Sequence, residues 1–147
     1  MSAIEDASTL ADVVRVQGKA RNDATAFEFE GRVSSFADFD RNTNRVARAL
    51  IASGVKPKES IAYLGKNSDH YFELLFGAMK AGVVMAPVNW RLAGPEIAFI
   101  VEDCKAAILF VGPEFVEQVR TLKPQLKSVR EIMTTEGGAP EWKDFAA

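Results

Sequence analysis

Cysteine and histidine each occur once in this chain of 147 residues, as Cys104 and His70. A single thiol forms no internal disulfide, and one thiol with one imidazole makes a poor metal set, so no metal site is expected. No apolar run approaches the ~20 residues of a membrane span, and MSAIEDASTL at the start has neither a basic nor an apolar leader region. No membrane span is expected, and the cytoplasm is the default location. With 18 basic and 20 acidic residues, a formal net charge of −2 and no basic cluster, the chain has no electrostatic footprint for nucleic acid. Phosphate-loop signatures are missing as well. GKNS at 65–68 lies between strand and helix signals, but the upstream glycine of a Walker A loop is absent and Asn67 separates Lys66 from Ser68. Its plainer reading is a tight turn with Asn67 or Ser68 capping the next helix. No two glycines have the spacing of a dinucleotide fingerprint. Gly65, Pro87 and Gly112, rather than an aspartate, hold the strand ends where a phosphorylated receiver domain needs one.

The chain does have enough apolar residues, at 48%, to fill the core of one ordinary domain. Thr9 with Asp12 marks a capping box for a short helix that reaches Gly18, and residues 25–34 alternate as a half-exposed hairpin with its turn at Gly31. Ser35 with Asp38 starts a longer helix. There Phe36, Phe39, Thr43, Val46, Ala47 and Leu50 repeat at helical spacing, and Arg41, Arg45 and Arg48 take the wet side. From residue 56 onward the pattern becomes strand, helix, strand, helix: strands at 60–64, 83–88, 107–111 and 129–133, and helices at 71–81, after Gly94-Pro95 and after Pro113. The helix over 71–81 is apolar except for a stripe of His70, Glu73, Gly77 and Lys80, which predicts an enclosed helix. The unalternating strand after it reads as covered on both faces, in the middle of a sheet. The fold class is α/β, a mostly parallel sheet with helices on both faces and a small N-terminal β-hairpin.

Such a fold hosts many chemistries, so function rests on sites. His70 titrates near neutrality, but no partner can be argued for it from sequence, and it reads as a surface residue of a first helical turn. Cys104 lies on an apolar helical face and reads as an inert thiol. Phenylalanines at helical spacing read as core. Arg91, in the turn after a central strand and before a helix, is the anion-binding candidate, because ligands of these sheets collect at the carboxyl ends of strands. A structural ion pair is the alternative.

MKAGVVMAPVN (residues 79–89) resembles the second core motif of the adenylate-forming enzymes, and VSSFADF (residues 33–39) is similar to their first. The frame around them, GVKPKESIAYLGKNSDHYFELLFGAMKAG and NWRLAGPEIAFIVEDCKAAILFVG, resembles the acyl-CoA synthetase branch, and the Asn89, Arg91 and Leu92 of VNWRL match it better than the peptide-synthetase branch. The resemblance extends over residues 9–145. It implies an N-terminal subdomain of the large domain of such a synthetase, with 1–24 an arm and helix and 25–147 the α/β part. It implies a parent that uses ATP, Mg2+ and CoA to convert a small carboxylic acid, a fatty acid first, into its acyl-CoA with release of AMP and pyrophosphate. The family's Ser/Thr/Gly-rich phosphate loop, aromatic-Gly-Thr-Glu segment, ribose-binding aspartate and catalytic lysine have no counterpart in these 147 residues, so the chain is expected to be inactive alone and to partner the remainder of the synthetase. Arg91 matches the arginine that CoA-forming relatives place near the CoA nucleotide phosphates. Ala93 stands where a Ser or Thr often caps the next helix, leaving Gly94 as a weaker cap. Two other expectations stay open: a self-contained, non-enzymatic α/β interaction module, and an aryl-acid or peptide-synthetase adenylation fragment. A severed subdomain would expose an apolar surface and form homo-oligomers through it.

Overall fold

The computed structural model describes residues 7–145 of the chain. They form two compact units, one drawn from Met1–Pro57 and Asn67–Val83 and the other from Lys58–Lys66 and Val84–Ala147. The first unit contains α1 (Leu10–Ala20), the hairpin strands β1 (Thr25–Phe29) and β2 (Arg32–Ser35), α2 (Phe36–Ala52) and α3 (Asp69–Ala81). Both predicted capping boxes form: Thr9 with Asp12, and Ser35 with Asp38, each with its reciprocal side-chain and backbone bonds at 3.1 Å. The hairpin is antiparallel and turns through Glu30 and Gly31 at φ of 48° and 79°, the left-handed pair that a tight two-residue turn requires. Helix α1 does not stop at Gly18. A Cβ at that position would lie 2.9 Å from the Cβ of Asp40 and 3.2 Å from the carbonyl of Phe36, so the glycine is where α1 meets α2 rather than a terminator.

Helix α3 ends as predicted, with Gly82 at φ 70° accepting the left-handed cap, but it is not enclosed on all sides as expected. The polar stripe is the packed side. Glu73 accepts a hydrogen bond from Asn42 at 2.7 Å, Lys80 reaches Asp40 at 2.6 Å and Asn44 at 2.9 Å, and Gly77 lies against Val46 and Thr43 of α2. Apolar Phe72 and Met79, in contrast, are 41% and 36% exposed. Glu73 and Lys80 both find partners on α2, which offsets the cost of burying them. Around this seam Phe27, Phe39, Phe72 and Phe76 make edge and tilted ring contacts at 5.1 to 6.5 Å.

The hairpin is tied to α3 by Arg32, whose Nε and Nη2 donate to the two oxygens of buried Asp69 at 2.7 and 2.8 Å. Burial alone would raise the Asp69 carboxyl, but Arg32, His70 and the His70 backbone N–H together hold it below the ordinary 3.8. A carboxyl depressed in the fold stabilises fully above its unfolded value, and that contribution disappears as pH falls through the folded one. Arg32 is 45% exposed, which limits the effect. Arg32→Met is expected to cost about 1–2 kcal/mol at pH 7. The gap from wild type should narrow only as pH falls through the depressed folded value of Asp69, below 3.8, until both chains carry a neutral Asp69; urea denaturation at pH 7 and at successively lower pH measures it.

The second unit is a five-stranded parallel sheet in the order β4-β3-β5-β6-β7, built from β3 (Ser60–Leu64), β4 (Val84–Val88), β5 (Ala106–Val111), β6 (Glu131–Thr134) and β7 (Lys143–Asp144). Helices α4 (Gly94–Asp103) and α5 (Val116–Leu122) connect its strands. Every residue of β5 is buried. Ala62, Leu64, Leu109, Val111 and Ile132 share one cluster with Ile97, Ala98 and Val101 of α4 and with Val116, Val119 and Leu122 of α5. The two-sided burial expected for 83–88 belongs to β5 instead. Strand β4 is an edge with Val84 54% exposed, and Pro87, which cannot donate to a ladder, is tolerated there for that reason. Strand β6 begins two residues later than expected, and the two-residue β7 has no periodicity that a sequence reading could detect. Among the described residues, no helix is long and apolar enough to cross a membrane.

Candidate functional site

The chemistry-bearing side chains of the second unit gather where β3, β4 and β5 end. After β3 come Gly65 and Lys66, after β4 Asn89, Trp90 and Arg91, and after β5 Gly112, Pro113, Glu114 and Phe115. The first and third connections touch. The Gly112 N–H donates to the Leu64 carbonyl at 2.8 Å, and a Cβ on Gly112 would lie 3.3 Å from the Gly65 Cα. Gly65 has no room of its own either, since a Cβ there would fall 2.7 Å from the Tyr63 hydroxyl, which donates to the Lys66 carbonyl at 2.6 Å. Side chains larger than hydrogen would separate these loops, so the glycines set the floor of the rim.

The turn after β4 is held by Asn89, whose side-chain oxygen accepts the Arg91 N–H at 3.0 Å while its carbonyl accepts the Leu92 N–H at 3.2 Å. An asparagine closing on the backbone two residues ahead is a standard turn device. It fixes Trp90 and Arg91 side by side. The Arg91 guanidinium stacks 4.2 Å from the centroid of the Trp90 ring, and Lys66 Nζ lies 5.9 Å from the same ring. Phe115 supports the indole at 6.0 Å, and Trp90 packs on the buried cluster beneath. Lys66 also meets Glu114 Oε1 at 3.1 Å. The Glu114 carboxyl is held below its ordinary range first by its own backbone N–H and then by Lys66. Arg91 is exposed, and no carboxylate among the described residues pairs with it, so its neighbour is an aromatic face rather than the structural ion pair that was the alternative.

Helix α4 starts just beyond. Ala93, not Gly94, is its N-cap, and the missing hydroxyl is compensated by Glu96, whose carboxylate accepts the Ala93 N–H at 2.8 Å. Two other candidates lie away from the rim. His70, expected at the surface, is half-buried in the first unit with Nδ1 3.3 Å from Glu73, a pairing that their i,i+3 spacing on one helical stripe permits. Cys104 caps the end of α4, its thiol donating to the Val101 carbonyl at 3.3 Å, and burial pushes that thiol up, as suits an unreactive group. Lys66, Trp90 and Glu114 are the rim residues that sequence reading passed over. Lys66 belongs to a GKNS stretch that fails as a phosphate loop, yet, beyond the end of β3 with only Gly65 between, it occupies the same kind of position as Arg91.

The rim can hold an anion against two cations and an aromatic face. Its single carboxylate is already engaged by Lys66, so it does not suit a divalent metal, and the rim has neither nucleophile nor paired base.

A model of the family described as AMP-binding enzyme matches residues 14–146. The chain is 44% identical over 99 residues to a fatty acid–[acyl-carrier-protein] ligase of Streptomyces coeruleorubidus, an alignment covering 65% of this chain and 19% of that protein. It is 41% identical over 105 residues to an indoleacetate–CoA ligase of Aromatoleum aromaticum, covering 71% of this chain and 21% of that protein. Among solved structures, an anthranilate CoA ligase in complex with anthranoyl-AMP matches with a TM-score of 0.89 and 26% identity over 99% of this chain and 29% of that one. The chain spans about a fifth of the length of these curated relatives.

Proposed function

We propose, from the premise that this chain belongs to the AMP-binding enzyme family, that it is the N-terminal part of a cytoplasmic, ATP-dependent acyl-CoA synthetase and supplies part of the surface that receives the CoA nucleotide. In the parent reaction the acid's carboxylate attacks the α-phosphate of ATP, giving acyl-adenylate and pyrophosphate. The CoA thiol then displaces AMP, its proton leaving as the thioester forms. Magnesium belongs to the ATP half, and the rim offers it no free carboxylate.

The observation that carries this reading is Arg91: exposed, without a carboxylate partner among the described residues, pre-oriented on Trp90 and placed at the carboxyl end of a strand. A guanidinium so placed suits the planar, bidentate recognition of a phosphate. For the acid we favour a fatty acid, the substrate in the name of the 44% identical relative. An aryl acid is the second reading, supported by the indoleacetate and anthranilate ligases. Glu114 and Lys66 are remote in kind from acid recognition, so neither acid is favoured by the rim itself.

Equilibrium titration of the chain with adenosine 3′,5′-bisphosphate tests the CoA assignment. Millimolar binding is expected, weakened about 5- to 10-fold in Arg91→Ala, as loss of one exposed charge-assisted contact implies. Binding that ignores Arg91→Ala, or no binding at all, would overturn it. The second result would favour an acyl-carrier-protein acceptor, as in the name of the 44% identical relative.

A further inference from the structure

The CoA assignment rests on Arg91 and leaves the Lys66–Glu114 pair without a role of its own. The ion pair they form at 3.1 Å leaves 58% of one side chain and 47% of the other exposed, and pairs so open to water hold weakly and exchange readily. The two partners do not depend on the pair equally. Glu114 keeps its own backbone N–H as a partner when Lys66 leaves, whereas Lys66 has only the Trp90 face, 5.9 Å away, over which Arg91 also stacks at 4.2 Å. Both cations therefore border one indole, Lys66 with an anion already on it and Arg91 without one.

We infer that Lys66 is a second anion-recognition residue of this rim, with Glu114 as a resident carboxylate that occupies it until a phosphoryl group takes its place. The rim then selects a nucleotide carrying two separate phosphoryl groups, one on Arg91 and one on Lys66, over a nucleotide carrying one. Glu114 acts as a competitor that raises the concentration of ligand needed and screens the lysine from smaller anions. This inference deepens the CoA-nucleotide reading and rests on it.

The test compares adenosine 3′,5′-bisphosphate with AMP on wild type, Lys66→Met, Glu114→Gln and Arg91→Ala. Lys66 and Glu114 are surface residues, so their variants should fold, and matching denaturation midpoints would verify that. Wild type should prefer the bisphosphate about 5-fold, Lys66→Met should lose that preference while still binding AMP, and Glu114→Gln should bind the bisphosphate about 3- to 5-fold more tightly, gains and losses of the size expected for one exposed charged contact. A purely structural pair would not tighten binding when broken. If Lys66→Met keeps the wild-type preference, or Glu114→Gln weakens bisphosphate binding, the inference fails while an Arg91→Ala loss leaves the CoA reading intact. If Arg91→Ala is silent as well, both fail together.

Discussion

Gly77→Ala should destabilise this chain by about 3 kcal/mol, the upper end of the range for overpacking a close-packed contact. The expectation is the opposite of what a helix interior ordinarily gives, since alanine exceeds glycine there by up to ~1 kcal/mol in helix propensity. At this position a Cβ would stand 2.4 Å from Val46 Cγ1, 2.5 Å from Val46 Cβ and 3.1 Å from the Thr43 carbonyl. Two of these three atoms are fixed to the α2 backbone and cannot swing aside, so α2 and α3 must separate. The separation would also stretch the Asn42–Glu73 and Lys80–Asp40 bonds, now 2.7 and 2.6 Å, leaving buried polar groups short of partners. Val46→Ala in the same background should restore only part of the loss, because it removes Cγ1 and leaves Cβ. Urea midpoints of the two single variants and the double variant decide it, and a stability gain from Gly77→Ala would show that the helices do not meet there.

No acid-dependent exchange between ATP and labelled pyrophosphate should be detectable with this chain alone. Adenylation builds charge on the α-phosphate, and preorganised donors aimed at developing charge are usually the largest catalytic contribution, with a single one worth about 10²–10³ in rate. Among the described residues, the carboxyl ends of β3, β4 and β5 offer two cations, Lys66 on Glu114 and Arg91 on Trp90. Measurable exchange, scaling with chain concentration and abolished by Arg91→Ala, would mean that the rim itself adenylates and that its role has been misassigned.

What could be read in advance follows the range of the forces involved. Both capping boxes, the glycine end of α3 and the bounds of β3 were legible, because each is decided within four or five residues by hydrogen bonds or backbone sterics. The faces of α3 were not. A stripe of Glu73, Gly77 and Lys80 looks wet until Asn42, Asp40 and Asn44, some 30 to 40 positions earlier, supply its partners. Likewise the apolar run at 83–88 says strand but not edge; Pro87 was the local sign that one side of it had no ladder to serve. At the rim, Arg91 could be named from its position after a strand, while the Lys66–Glu114 pair spans 48 positions and is created only by the parallel pairing of β3 with β5. Trp90 was in view all along beside Arg91, and an aromatic next to an arginine in an exit turn was the available signal.

Ligand binding at the carboxyl ends of β3, β4 and β5 is the premise on which the CoA-nucleotide proposal depends. The most direct measurement is a 1H–15N titration with adenosine 3′,5′-bisphosphate that maps which groups respond. The amides of Gly65, Lys66, Arg91 and Gly112 and the indole N–H of Trp90 should move together along one millimolar isotherm. Shifts confined to α1, α2 and α3, or a spectrum unchanged at saturating probe, would contradict it.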